Sequence, residues 1–196
     1  MPTGVAIRDV REQLFEAADR ILLRDGASAL TSRAVTTEAG CAKGVLHRHF
    51  ADFDDFLAEL VTARIADVER RAAVLRETAG SGAVVDHLTA ALTDLFGPVT
   101  TAIVSLITFR DELRARLRRT RPTGIPVLAE ATEMIAAYLT AERDLGRIAA
   151  TADIDALAPT LIGTAHLLFA DRESGPPERE AVSSAVRAVV ASVLSR

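Results

Sequence analysis

Four side chains with cationic or hydrogen-bonding chemistry, Lys43, His47, Arg48 and His49, crowd into one end of the segment TSRAVTTEAGCAKGVLHRHF at residues 31–50. Lys43 is the only lysine in the chain, and every other permanent side-chain cation is an arginine. The segment reads as two short helices broken at Ala39-Gly40-Cys41, the second running from about Ala42 to Phe50. On that second helix Lys43 and His47 lie four apart and share a face, whereas Leu46 and Phe50 point inward. Two helices joined by a tight glycine turn, with cations and donors on the second, suit the major groove of DNA. Base edges there offer acceptors, and phosphates line the groove walls. The positive end of the helix dipole at Ala42 adds to the attraction.

Other chemistry fits the same residues less well. His47 and His49 sit two apart, so on a helix they face different ways and cannot grip one ion, and no metal site is expected. No nucleophile–base pair and no glycine-rich phosphate loop is visible, so the chain is expected not to be an enzyme, with no catalytic residue and no cofactor. Cys41, the one cysteine, reads as a small buried packing residue, with a redox-sensing thiol as the alternative. Arg110, Arg114, Arg116, Arg118, Arg119 and Arg121 read as a solvated helix face offset by Asp111 and Glu112. The alternative for that run is an anion-binding lip.

The elements that must position these groups are helices. Nearly half of the 196 residues are apolar, aromatics are scarce, and β-branched residues rarely alternate with polar ones. The fold class expected is therefore all-α, with about nine helices. Val10, Leu14, Ala17, Ala18, Ile21 and Leu22 recur at steps of three and four from about Asp9 to Arg24, ended by Asp25-Gly26. Thr31 or Ser32 caps the second helix. Asp52 caps a long fourth helix that buries Phe53, Phe56, Leu57, Leu60, Val61, Ile65 and Val68 and reaches about Thr78. The AGSGA stretch at 79–83 breaks it. Further helices are expected near 84–96, 98–119 (interrupted around Thr108), 126–144, 153–171 and 178–195.

The whole chain carries a formal charge of −4, so it is not a polycation, but residues 31–50 hold a local excess of positive charge. Contact with DNA must be confined to that small surface. One cysteine permits no intrachain disulfide and suits a reducing compartment. No apolar stretch is long enough to span a bilayer, so a cytoplasmic protein with no membrane partner is expected.

Phe15, Ala17-Ala18, Gly26, Leu30-Thr31 and the run from Ala39 to Phe50 together resemble the N-terminal domain of the TetR family of transcriptional regulators. The resemblance covers roughly residues 8–60. It implies a helix-turn-helix DNA-binding domain at 1–52 and an effector-binding and dimerisation domain at 53–196, connected by the fourth helix at about 53–78. It implies further that Arg33 and Lys43 reach base edges and that Gly44 and Val45 lie against bases or thymine methyls. Ser32, at a helix start, would meet a phosphate. His47 stands where the family usually has a phosphate-binding tyrosine, and His49 at another common contact position. Ala42 and Arg48 complete the DNA-binding set. Phe53 stands where a phosphate-binding lysine is usual, between Asp52 and Asp54-Asp55, which predicts either weaker and more salt-sensitive nonspecific binding or a backbone contact alone at that point.

The resemblance also places an effector cavity among the middle helices, for an apolar or amphipathic small molecule. Phe96, Ile103, Phe109, Met134 and Tyr138 read as core residues that could line it. His87 and His166 read either as hydrogen-bonded structural histidines or as ligand contacts. Ala156, Thr160, Gly163, Thr164 and Leu167 put mostly small residues on one face of the 153–171 helix. Val182, Val186, Val189 and Val193 form an apolar stripe on the last. These stripes either cover the protomer's own core or, as the resemblance implies, pair two subunits into a homodimer. The expected function is a repressor that binds a pseudo-palindromic operator as a dimer and is released by its effector. The alternative is a helical small-molecule-binding protein whose DNA-binding head is degenerate.

Overall fold

The computed structural model describes residues 10–170 and 175–194. Asp9, at the expected start of the first helix, and positions 171 and 195, expected at helix ends, lie outside these residues. Among the described residues there are ten α-helices: α1 (Val10–Arg24), α2 (Ser32–Glu38), α3 (Gly44–His49), α4 (Phe53–Glu77), α5 (Val84–Leu95), α6 (Pro98–Phe109), α7 (Asp111–Leu117), α8 (Leu128–Asp144), α9 (Ile154–Phe169) and α10 (Arg179–Val190). A short 3-10 turn at Ala27–Ala29 follows α1. The expected 98–119 helix is divided at Arg110, whose backbone is extended, so the count exceeds the nine expected by one. No single described helix is long and apolar enough to cross a membrane.

By compactness the chain falls into two units, residues 1–62 with 102–122, and residues 63–101 with 123–196. The division runs through α4 and through the first turn of α6.

In the first unit, the stripe Leu14, Ala17, Ala18, Ile21 and Leu22 of α1 is buried, as its spacing requires. It meets Val35 of α2, Leu46 of α3 and Phe56, Leu57, Leu60 and Val61 of α4 in the core. Four phenylalanines knit this core together. Phe50 and Phe56 stand edge to face at 5.1 Å, Phe15 lies 6.0 Å from Phe50 and 5.6 Å from Phe56, and Phe53 stacks on Phe56.

In the second unit α9 packs on α8, and α10 packs on α5 and α9. Leu88, Leu92, Ile135, Tyr138, Leu139, Leu161 and Val190 fill the space between them. The last helix ends at Val190 rather than near 195. The chain there turns out to pair with the strand-like segment at Ile148, the Ala149 N–H donating to the Val193 carbonyl at 2.7 Å.

Candidate nucleic-acid interface and ligand cavity

The turn between α2 and α3 is built by local chemistry. Thr31, not Ser32, caps α2, its hydroxyl oxygen accepting the Ala34 N–H at 3.1 Å. At the other end Gly40 adopts φ +66°, and two reversed hydrogen bonds close the helix, Cys41 N–H to Thr36 carbonyl and Gly40 N–H to Thr37 carbonyl. This is a Schellman closure, and it needs a left-handed residue at Gly40. It turns the chain tightly enough to set α3 down beside α2.

Two ties from α1 hold this pair of helices. Glu38, the one acid in the 31–50 segment, accepts Arg20 Nε at 2.9 Å and an Arg24 terminal nitrogen at 3.1 Å. These bonds, Arg20 first, hold its carboxyl below the usual carboxylate range. Arg11 lies 4.6 Å over the Phe50 ring, donates to the His49 carbonyl at 3.2 Å and pairs with Glu59. It therefore occupies the C-terminal end of α3, where a cation is favoured.

On this scaffold Arg33, Ala42, Lys43, Gly44, His47, Arg48 and His49 are all exposed, while Leu46 and Phe50 are buried. Val45 departs from expectation. It is 8% exposed, turned into the core beside Leu46, so its side chain is not at the tip against bases. The physical reason is the length of α3. The helix has six residues, not nine, and a helix that short keeps its shape only by seating its few apolar side chains. Ser32 departs as well: it is half-buried, and its Oγ has no solvent exposure and no partner, so the expected phosphate contact is not presented by that atom.

The acidic residues around Phe53 do not stand uncompensated. Asp52 caps α4 through the Asp55 N–H at 2.7 Å and also accepts Arg116 at 2.8 Å. Asp55 accepts the same guanidinium at 3.0 Å, and Asp54 accepts Arg110 Nε at 2.8 Å. The Arg110 guanidinium lies 5.3 Å over the half-buried Phe53 ring. Two members of the arginine run are thus neither a bare solvated face nor an anion lip but partners of the α4 start. Nothing in the sequence signals this, because the partners are far apart along the chain.

In the second unit a cavity of about 310 Å³ lies among α4, α5 and α8. Val74, Leu75, Ala90, Ala91 and Met134 supply apolar lining, with Arg70, Arg71, Thr78, His87 and Asp94 as polar handles. Of the seven lining candidates, His87 and Met134 are here. Tyr138 is fully buried behind His87, 3.0 Å from its Nδ1. Phe96 is core, against the rings of Phe169 and His166. His166 is half-buried, and its Nδ1 has no hydrogen-bond partner. Ile103 and Phe109 belong to the other compact unit, Ile103 buried and Phe109 86% exposed at the end of α6. Neither is among the residues that line this cavity; the break at Arg110 ends α6 with Phe109 exposed.

Sequence reading missed Glu142. It is completely buried, accepts the Tyr138 hydroxyl at 2.7 Å, lies 3.3 Å from Arg147 and accepts the Gly80 N–H at 3.4 Å. Arg147 also donates to the carbonyls of Ser81 and Gly82, so one charged pair ties the AGSGA loop to the end of α8.

The expected apolar stripe of α10 is used inside the protomer. Val182 and Val186 are buried and Val189 and Val193 half-buried, because α10 turns this face onto α5 and α9. On α9, by contrast, Ala156, Thr160, Gly163 and Leu167 are exposed and Thr164 half-buried, with Leu167 76% exposed. Exposed Ala181, Ser184, Ala188 and Ala191 run along the outer side of α10.

A family profile described as "Bacterial regulatory proteins, tetR family" matches residues 14–60. The HTH-type transcriptional regulator PksA of Bacillus subtilis (strain 168) is 33% identical over 78 residues, which are 36% of this chain and 38% of that protein. The match therefore spans well under half of the curated relative. Among solved structures, the transcriptional regulator FadR from Bacillus subtilis in complex with stearoyl-CoA is similar with a TM-score of 0.70 at 16% identity, over 93% of this chain and 98% of that one. SmeT, the repressor of the Stenotrophomonas maltophilia multidrug efflux pump SmeDEF, gives 0.67 at 17% identity over 96% and 92%. At such identities the structural likeness is one of fold.

Proposed function

Because this chain belongs, through its N-terminal domain, to the tetR family of bacterial regulatory proteins, we propose that it is a ligand-responsive transcriptional repressor. Residues 1–52 form the DNA-binding domain and residues 53–196 the effector-binding and dimerisation domain, with α4 running between them. The observation that carries the reading is the exposed set Arg33, Lys43, His47, Arg48 and His49 on the α2–turn–α3 unit, held on a core of Leu46, Phe50 and α1. Arg33 and Lys43 read base edges. His47 and His49 meet phosphates, and the backbone at Ala42 and Gly44 allows close approach.

A homodimer presents two such helices, so the operator is a pseudo-palindrome with half-sites about one helical turn apart. The exposed small-residue face of α9, joined by the outer side of α10, supports self-association, since small side chains let a partner helix come close. Effector binding beside α4 alters the separation of the two heads, and loss of simultaneous engagement releases the DNA. FadR, solved in complex with stearoyl-CoA, and SmeT, a repressor, support the same reading. The protein acts in the cytoplasm, where duplex DNA is at hand.

Footprinting with the full chain on DNA flanking its own gene tests the proposal. A protected pseudo-palindrome, lost in Lys43→Ala, is expected. No protected site even at low salt would overturn it and leave a helical ligand-binding protein with a degenerate head.

A further inference from the structure

The cavity's polar wall has a defined hydrogen-bonding sense, which can be worked out from the buried end. Glu142 is fully buried, lies beside Arg147 and accepts both the Gly80 N–H and the Tyr138 hydroxyl. The Tyr138 hydroxyl, 2.7 Å away, gives its single proton to Glu142 in that bond. Burial first, and then this bond, raise the phenol's pKa, so it keeps that proton. The Tyr138 oxygen is left with lone pairs only, and the nitrogen 3.0 Å from it, His87 Nδ1, must donate. In the neutral ring the proton thus sits on Nδ1, and Nε2 carries a bare lone pair. Nε2 has no hydrogen-bond partner among the described residues. It lies beside Gly82, where a Cβ would come within 3.0 Å of it, and His87 is one of the residues that line the cavity.

We propose that His87 is the residue that selects the effector, accepting through Nε2 a hydrogen bond from a neutral hydroxyl on a small apolar molecule, a phenol or an alcohol. The inference rests on the reading of this cavity as the effector site and adds the ligand's chemical class. The cavity's volume of about 310 Å³ is at the small end for ligand pockets, and its lining is largely aliphatic. An ionised carboxylate would set its lone pairs against that of Nε2. An ammonium could donate, but Arg70 and Arg71 at the cavity oppose it and an apolar lining penalises a buried charge. A hydroxyl satisfies the nitrogen at neither cost.

The test uses the full wild-type chain and three probes of one skeleton: 4-propylphenol, its methyl ether 4-propylanisole, and 4-propylbenzoate. Calorimetry is expected to show the phenol binding about tenfold more tightly than the ether, the scale of one hydrogen bond, with the benzoate weakest. The phenol–ether difference is expected to vanish in His87→Phe, which keeps a ring and removes the acceptor. Nitrogen-15 NMR of the wild-type ring, assigned by loss in that variant, is expected to show the Nδ1–H tautomer whether or not the variant folds well. An Nε2–H tautomer, or equal binding of phenol and ether, overturns the role of His87 while leaving the cavity as a binding site. Tightest binding by the benzoate, lost in Arg71→Gln, replaces His87 with an arginine anchor. Binding of none of the three overturns the proposal together with the effector-site reading beneath it.

Discussion

Arg116 of α7 donates to Asp52 at 2.8 Å across a sequence separation of 64 residues, and the same carboxylate caps α4 by accepting the Asp55 N–H at 2.7 Å. One side chain thus starts the helix that follows the recognition segment and ties it to a distant arginine. Replacing Arg116 with Gln is expected to lower the thermal midpoint by no more than a few degrees. The loss should shrink in high salt, because the pair is partly exposed and screened. A loss unchanged by salt would mean that the arginine acts through packing of its stem and not its charge.

Lys43→Ala is expected to weaken specific operator binding by about 1–3 kcal/mol and to relax sequence preference at one position. Gel-shift titration on the operator and on single-base variants checks this. Uniform weakening on every sequence would make Lys43 a phosphate contact instead.

Val45→Ala is expected to act oppositely, on stability and not on recognition. Removing two buried methyl groups from the inward face of α3 costs about 1–2 kcal/mol, while the folded fraction keeps its affinity for DNA. Denaturant unfolding paired with binding measured at low temperature separates the two effects.

How far the head was legible in the sequence follows from these residues. Leu46 and Phe50 announce their burial by standing four apart, as does the α1 stripe. Val45 could not be read that way. On a helix of six residues the apolar arc is too short for periodicity to distinguish an inward valine from one at the tip. Arg116 and Asp52 were unreadable because ion pairing across the chain leaves no local pattern. In the second unit His87 and Tyr138 stood out as rare residue types, but Glu142 looked like any surface glutamate, and only its position behind Tyr138 reveals it. The valine stripe of α10 was visible, yet a stripe does not say whether its cover is another helix of the same chain or another subunit.

Gly40→Ala is expected to destabilise the first unit by about 1 kcal/mol through backbone conformation alone. The residue holds φ +66°, and a Cβ there would meet nothing within 4 Å. Gly40→Asn should cost less, since asparagine tolerates the left-handed region better. Equal losses for the two variants, read by thermal unfolding, would point to a steric cause.

Tyr138→Phe removes the link between His87 and Glu142 and leaves a buried carboxylate oxygen with only the long Gly80 N–H bond at 3.4 Å. An unfolding penalty of about 1–3 kcal/mol is expected. The variant should also free His87 to change tautomer, which the ring's nitrogen-15 shifts report.

Acid is expected to loosen the head only once the pH falls below the ordinary carboxylate range. Glu38 and Asp52 both have folded pKa values below the ordinary carboxylate values, Glu38 chiefly through Arg20 and Asp52 chiefly through the Asp55 N–H. Their contribution is fully present above the unfolded-state values and is lost as pH falls through the lowered ones. Unfolding followed from neutral pH downward should show this loss. Arg20→Gln should flatten it, and an identical acid profile in that variant would remove Glu38 from the account.

The close approach of Gly82 to the His87 ring has an evolutionary consequence. Any side chain at 82 crowds the imidazole, so descendants of this protein are not free to alter the two sites one at a time. A drift to alanine at 82 should travel with a smaller or reoriented residue at 87, and with it a change in which molecules the protein senses.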